Sequence, residues 1–232
     1  MRTIGLIGGM SWESTLLYYQ WINRAVRERC GPLHSARLLI DSLDFSEIAA
    51  WQRQGDWAAA GEALASSARR LAAGGASCVV LATNTMHKVA DQVTAATSLP
   101  FLHIADPTGA AIRAAGIESV LLLGTAFTME QDFYRSRLQQ RYSVHCLLPS
   151  APQRAQVHRI IYDELCAGVV SEASREIYRQ IVLDAVQAGA QGVILGCTEV
   201  GLLLQQDQCP VPLFDTAALH AAAAVDFALG GG

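Results

Sequence analysis

Lysine is all but missing from this chain. Of its 17 basic residues, 16 are arginine, and Lys88 is the only lysine. A reaction that runs through a lysine Schiff base therefore has one candidate residue. Charge is scarce too: Asp, Glu, Lys and Arg make up 16% of the chain, and the net charge is −4. That argues against a nucleic-acid partner, which would want a concentrated basic face. No apolar run reaches the ~18 residues that a bilayer span needs, so no membrane segment is expected. The opening MRTIGLIGGMSWES has the basic-then-apolar look of an export signal. Its apolar stretch is short and glycine-broken, however, and charge returns at Glu13. It reads as a first strand and loop, with the cytoplasm as the expected compartment. The six cysteines form no CxxC pair, which points to reduced thiols rather than a disulfide framework or a zinc site.

What is present is a regular alternation. Short apolar runs occur at Thr3–Ile7, Arg37–Ile40, Cys78–Ala82, Phe101–Ile104, Val120–Leu123, Val144–Leu147, Gly192–Leu195 and Val211–Phe214. They are continuous, as expected of strands covered on both faces. Between them, segments such as Trp12–Arg29 and Trp57–Ala73 carry apolar residues at helical spacing. Thr128 and Gln131 have the spacing of a capping box that would open a helix running to Arg141. The pattern is βαβ and implies parallel sheets.

A faint internal repeat divides the chain. Val79–Thr85 (VVLATNT) resembles Val193–Glu199 (VILGCTE), the segment from Pro100 to Thr108 resembles that from Val211 to Thr216, and Ile4–Gly9 resembles Leu121–Thr125. The order is the same in both halves. The expected fold is α/β, with two pseudo-symmetric lobes. Each is a four-stranded parallel sheet flanked by helices, and the active site lies between them. The first lobe takes residues 1–104 plus 215–232, and the second takes 105–214. The glycine tail from Gly230 is expected to fray.

In open α/β sheets, ligands bind beyond the C-terminal ends of the strands. Each repeat puts small polar residues there: Gly8–Ser11 and Thr83–Thr85 in the first lobe, Gly124–Thr125 and Cys197–Glu199 in the second. Thr83 and Cys197 hold equivalent slots. If the lobes face each other, these two side chains face across one cleft. Inverting a stereocentre needs a base on one face of the carbon and an acid on the other, and a pseudo-symmetric pair supplies both. Amide N–H groups opening the helices after Asn84 and Thr198 suit a substrate carboxylate. The same helix start is expected to lower the Cys197 pKa and make the thiol partly thiolate. No cofactor or metal motif is visible; His34, His103, His145, His158 and His220 do not cluster in sequence.

These segments carry a resemblance. GLIGGMSWEST, TNTMHK at 83–88, the ADPTG run from Ala105, LGT at 123–125, GCTE at 196–199 and FDTAALHA together resemble the aspartate/glutamate racemase family over essentially the whole chain. The resemblance implies cofactor-independent racemisation of an amino acid, aspartate or glutamate, from L to D, by members that typically form homodimers. It also implies that the second-lobe cysteine acts on the L-enantiomer, and that the region around Gln52 covers the substrate side chain. The family's first-lobe pattern is Cys-Asn-Thr, and here Thr83 stands in place of the cysteine. The expected proton carriers are therefore Cys197 and Thr83. Met10, Gln52, Asn84, Thr85, Thr125, Thr198 and Glu199 are expected at the substrate. A satisfied helix histidine and a group tuning a site proton are equal readings of His87. Cys30, Cys78, Cys146, Cys166 and Cys209 read as structural or incidental. Alternatives are a broad-specificity amino-acid or hydantoin racemase, and a non-catalytic amino-acid-binding relative.

Overall fold

Eight strands form where the eight apolar runs lie. A computed structural model describes residues 1–230; Gly231 and Gly232, part of the tail expected to fray, lie outside the described residues. The chain divides into two units, Met1–Ile104 with the segment from His220 onward, and Ala105–Leu219. The crossing back to the first unit thus falls inside the last helix.

The first unit runs β1 (Ile4–Gly8), α1 (Trp12–Cys30), β2 (Leu38–Ser42), α2 (Phe45–Gln54), α3 (Trp57–Ala73), β3 (Cys78–Leu81), a 3₁₀ turn (Thr85–Val89), α4 (Ala90–Ala95) and β4 (Phe101–Leu102). Its sheet is parallel, in the order β2-β1-β3-β4. The second unit runs α5 (Ala105–Ala114), β5 (Ser119–Gly124), α6 (Ala126–Glu130), α7 (Asp132–Tyr142), β6 (His145–Leu147), α8 (Ala151–Asp163), α9 (Glu172–Gln187), β7 (Val193–Gly196), a 3₁₀ turn (Thr198–Leu202) and β8 (Leu213–Asp215). Its sheet is also parallel, in the order β6-β5-β7-β8. The final helix α10 (Thr216–Leu229) begins in the second unit and ends in the first.

The two centres match the sequence reading and the edges do not. Strands β1, β3 and β7 are buried along their whole length, and so is β5 after its first residue. The edge strands β2, β4, β6 and β8 are only partly covered. Helices close over the middle of each sheet first, so the outermost strands keep solvent on part of their surface. In the first unit, α3 turns Ala60, Leu64, Ala68 and Leu71 inward at helical spacing, against Ile7, Val79 and Leu81. Asp44 and Asp56 cap α2 and α3 by accepting the amide protons of Ser46 and Ala59, each at 2.9 Å. The capping box expected at Thr128 is not formed. Thr125 caps instead, and Thr128 is buried within α6 with its hydroxyl 3.3 Å from that of Thr125. The helix expected to continue to Arg141 breaks at Gln131. Among the described residues no helix is long and apolar enough to cross a membrane.

Burial makes Cys78, at the start of β3, sensitive to alkali. Its thiol is pushed up from the ordinary 9.0 to about 11. The contribution to stability is fully present below pH 9 and is lost as pH rises to 11, because the unfolded chain sheds its proton first. The loss across that window should be about 2–3 kcal/mol. Urea unfolding should show it as wild-type stability falling relative to Cys78→Val between those pH values. A constant difference would mean that the thiol is solvated.

Candidate active site

In the first unit the site segments sit on a tightly pinned frame. Strand β1 ends at Gly8, and Gly9 adopts a left-handed φ of 88°. A Cβ on Gly9 would lie 2.0 Å from the Leu43 carbonyl oxygen, so only glycine lets the loop pass there. The Gly9 amide donates to Thr15 Oγ1 at 2.8 Å, and Ser11 caps α1. Met10 is buried in the same apolar cluster as Ile48 and Met86.

Strand β3 delivers Thr83 and its neighbours. The Ala82 amide donates to the Ile7 carbonyl, and the Thr83 amide donates to the Leu81 carbonyl, both at 2.9 Å. Thr83 is partly exposed, and its hydroxyl makes no hydrogen bond among the described residues. Asn84 and Thr85 follow it into the interior. Gln52, from α2, is buried and donates from Nε2 to Met86 Sδ at 3.0 Å, which places it beside the Thr83–His87 segment. His87 is buried and bonded through both ring nitrogens, to the Thr83 carbonyl oxygen at 2.7 Å and the Ile104 amide at 3.1 Å. His103 and His220, remote in sequence, pack beside it with ring centroids 4.5 and 5.9 Å away.

The second unit repeats this arrangement with different chemistry. Strand β7 ends at Gly196, Cys197 is extended, and the 3₁₀ turn follows. One carboxylate oxygen, Glu199 Oε2, accepts from Cys197 Sγ at 2.9 Å and from Thr198 Oγ1 at 2.7 Å. Burial pushes the Cys197 thiol well above its ordinary value, and the Glu199 charge, its hydrogen bond and Cys166 push it further the same way. This corrects the expectation of a lowered pKa. The element after Cys197 is a five-residue 3₁₀ turn, whose few peptide dipoles are outweighed by an adjacent carboxylate. Thr125 is buried and committed to capping α6.

One acidic residue went unremarked in the sequence. Asp215, at the end of β8, accepts from the amides of Ala217 and Ala218 at 3.0 Å each. Burial nevertheless holds its carboxyl above the ordinary value. A Cβ on Gly201 would lie 3.9 Å from Asp215 Oδ2, so the carboxylate borders the turn that carries Glu199. The available signal was an aspartate at a strand end within the FDT segment.

The same position recurs in both units. Strands β3 and β7 hold the same rank in sheets of the same order, and each ends in a short polar segment and a five-residue 3₁₀ turn. The sequence profile of the Asp/Glu/Hydantoin racemase family matches residues 7–224. The chain belongs to this family. It is similar to a Yersinia pestis protein provisionally named an Asp/Glu racemase, at 49% identity and a TM-score of 0.94, with 99% of this chain and 100% of that one covered. It is similar also to an aspartate racemase homologue from Pyrococcus horikoshii OT3, at 34% identity and a TM-score of 0.86, over 99% and 100% of the two chains. A Picrophilus torridus aspartate racemase, at 19% identity and a TM-score of 0.76 over 98% and 94%, shares the fold. At the equivalent rank this chain carries threonine at the end of β3 and cysteine at the end of β7.

Proposed function

We propose that this protein racemises an acidic amino acid, aspartate or glutamate, from L to D without a cofactor, using Cys197 and Thr83 as the two proton carriers. The observation that carries this reading is the equivalence of β3 and β7: two proton-bearing side chains occupy one slot in two sheets of one topology. The names of the relatives at 49% and 34% identity support the substrate class.

Cys197 takes the α-proton of the L-substrate as a thiolate. Its own proton is first lost to water past Glu199, whose carboxylate is bonded to Sγ at 2.9 Å and serves as the path, not the final acceptor. Thr83 then relays a proton from water to the opposite face of the planar carbanion, taking one from water as it gives up its own, and Cys197 returns the abstracted proton to solvent. Asn84, Thr85, Thr198 and Gln52 contact the substrate, with Met10, Thr125 and Glu199 lining the same site. Because the thiol is raised and the thiolate is the reacting form, kcat/KM for L-substrate should climb through the neutral range and beyond pH 9. Replacing Glu199 by Gln removes the charge and keeps the shape. Iodoacetamide should then label Cys197 several-fold faster near neutrality, while racemisation falls. Slower labelling would show that Glu199 promotes the thiolate in the free protein.

The direct test is loss of optical activity with a panel of L- and D-amino acids and hydantoins. Aspartate or glutamate should react, and the rate should survive chelator and carbonyl reagents. Activity confined to hydantoins, or abolished by either reagent, would overturn the reading. We also propose a homodimer. Trp12, Leu16 and Tyr19 form an exposed apolar stripe at helical spacing on α1. Sedimentation should give a particle of about twice the 24.9 kDa chain mass, and Leu16→Glu should shift it to the monomer.

A further inference from the structure

His87 has both ring nitrogens committed, and the partners fix its protonation. The Ile104 amide can only donate, so Nε2, 3.1 Å away, presents its lone pair. The ring proton therefore sits on Nδ1, which donates to the Thr83 carbonyl oxygen at 2.7 Å. A third proton position does not exist on the ring, and a charged imidazole would set an N–H against the Ile104 N–H.

The surroundings hold the ring in that state. His87 is 2% exposed. Phe101, His103 and His220 pack around it with ring centroids at 5.5, 4.5 and 5.9 Å. His220 is itself fixed, by the Leu102 carbonyl at 2.7 Å on Nε2 and by Tyr18 at 2.9 Å on Nδ1. The carbonyl can only accept, so Nε2 carries the His220 proton and the tyrosine hydroxyl donates. The two rings thus pack together in the interior, each held by its own pair of hydrogen bonds.

We infer that His87 is a positioning residue. In its neutral Nδ1–H form it fixes the peptide that carries Thr83, and so the direction of a hydroxyl with no hydrogen bond of its own, without taking or giving a proton. This rests on the reading of Thr83 as a proton carrier.

Two substitutions separate the two bonds. An asparagine amide nitrogen falls near the place of Nδ1, and a glutamine terminal oxygen near that of Nε2. His87→Asn keeps the donor to Thr83, whereas His87→Gln keeps only the acceptor for Ile104. In heavy water, His87→Gln should racemise L-substrate roughly 10²-fold more slowly, while Cys197-dependent α-proton exchange stays within about twofold of wild type. His87→Asn should retain most of the racemisation. Wild-type racemisation in His87→Gln, or equal loss of exchange and racemisation, would overturn the inference. Thr83→Ala run alongside isolates the underlying reading, because normal racemisation there would remove Thr83 itself whatever the histidine variants do. Should His87→Gln fail to fold, imidazole ¹⁵N shifts of the wild-type protein still decide. They should report the Nδ1–H tautomer for His87, and the Nε2–H tautomer would refute the assignment.

Discussion

Cys197→Ala should lower racemisation by about 10⁴-fold and abolish α-proton exchange with it. An α-proton of an amino acid is a weak acid, and within β7 and the turn after it only a thiolate is nucleophilic and basic enough to remove it. Glu199 alone is a poorer base at carbon, although its carboxylate accepts the thiol's hydrogen bond. The fold should survive the change, since Cys197 is partly exposed and at a strand end. The other thiols cannot substitute: Cys78 and Cys146 are held protonated by burial, up to about 11 and about 12. Iodoacetamide should inactivate the wild type, with protection by substrate. Circular dichroism and exchange measured together check the result, and racemisation retained in Cys197→Ala would end the assignment.

Thr83→Ala should separate the two halves of the reaction. L-substrate should still exchange its α-proton through Cys197 in heavy water, while racemisation falls by about 10²-fold or more. A threonine hydroxyl is a far poorer base than a thiolate but can deliver a proton to a carbanion. The pair should therefore make the two directions kinetically unlike. Equilibrium in an achiral solvent lies midway between the enantiomers, so the two specificity constants must agree. The asymmetry can appear only in the separate turnover and Michaelis constants, with the D-enantiomer bound weakly. Thr83→Cys should raise turnover of D-substrate. If Thr83→Ala racemises at the wild-type rate, water carries the second proton.

The eight strands and their parallel arrangement were legible because βαβ units leave a local record: continuous apolar runs of four or five residues between segments of helical period. The site segments were legible as polar breaks at the ends of those runs, as at Thr83 and Cys197. Long-range effects were not. The break at Gln131 depends on Thr125 taking the cap and on Thr128 being buried, which no local pattern records. Asp215 borders the Glu199 turn only because β8 pairs with β7.

The sequence by itself determined the two sheets, the repeat and the chemical identity of the two proposed proton carriers, since each is written in neighbouring residues. The tertiary structure decided their states. It set Glu199 against the Cys197 thiol, which reversed the expected direction of its pKa. It also gathered His87, His103 and His220 from three distant segments into one buried group. Protonation depends on burial and on charges within a few ångströms, and those distances exist only once the chain has folded.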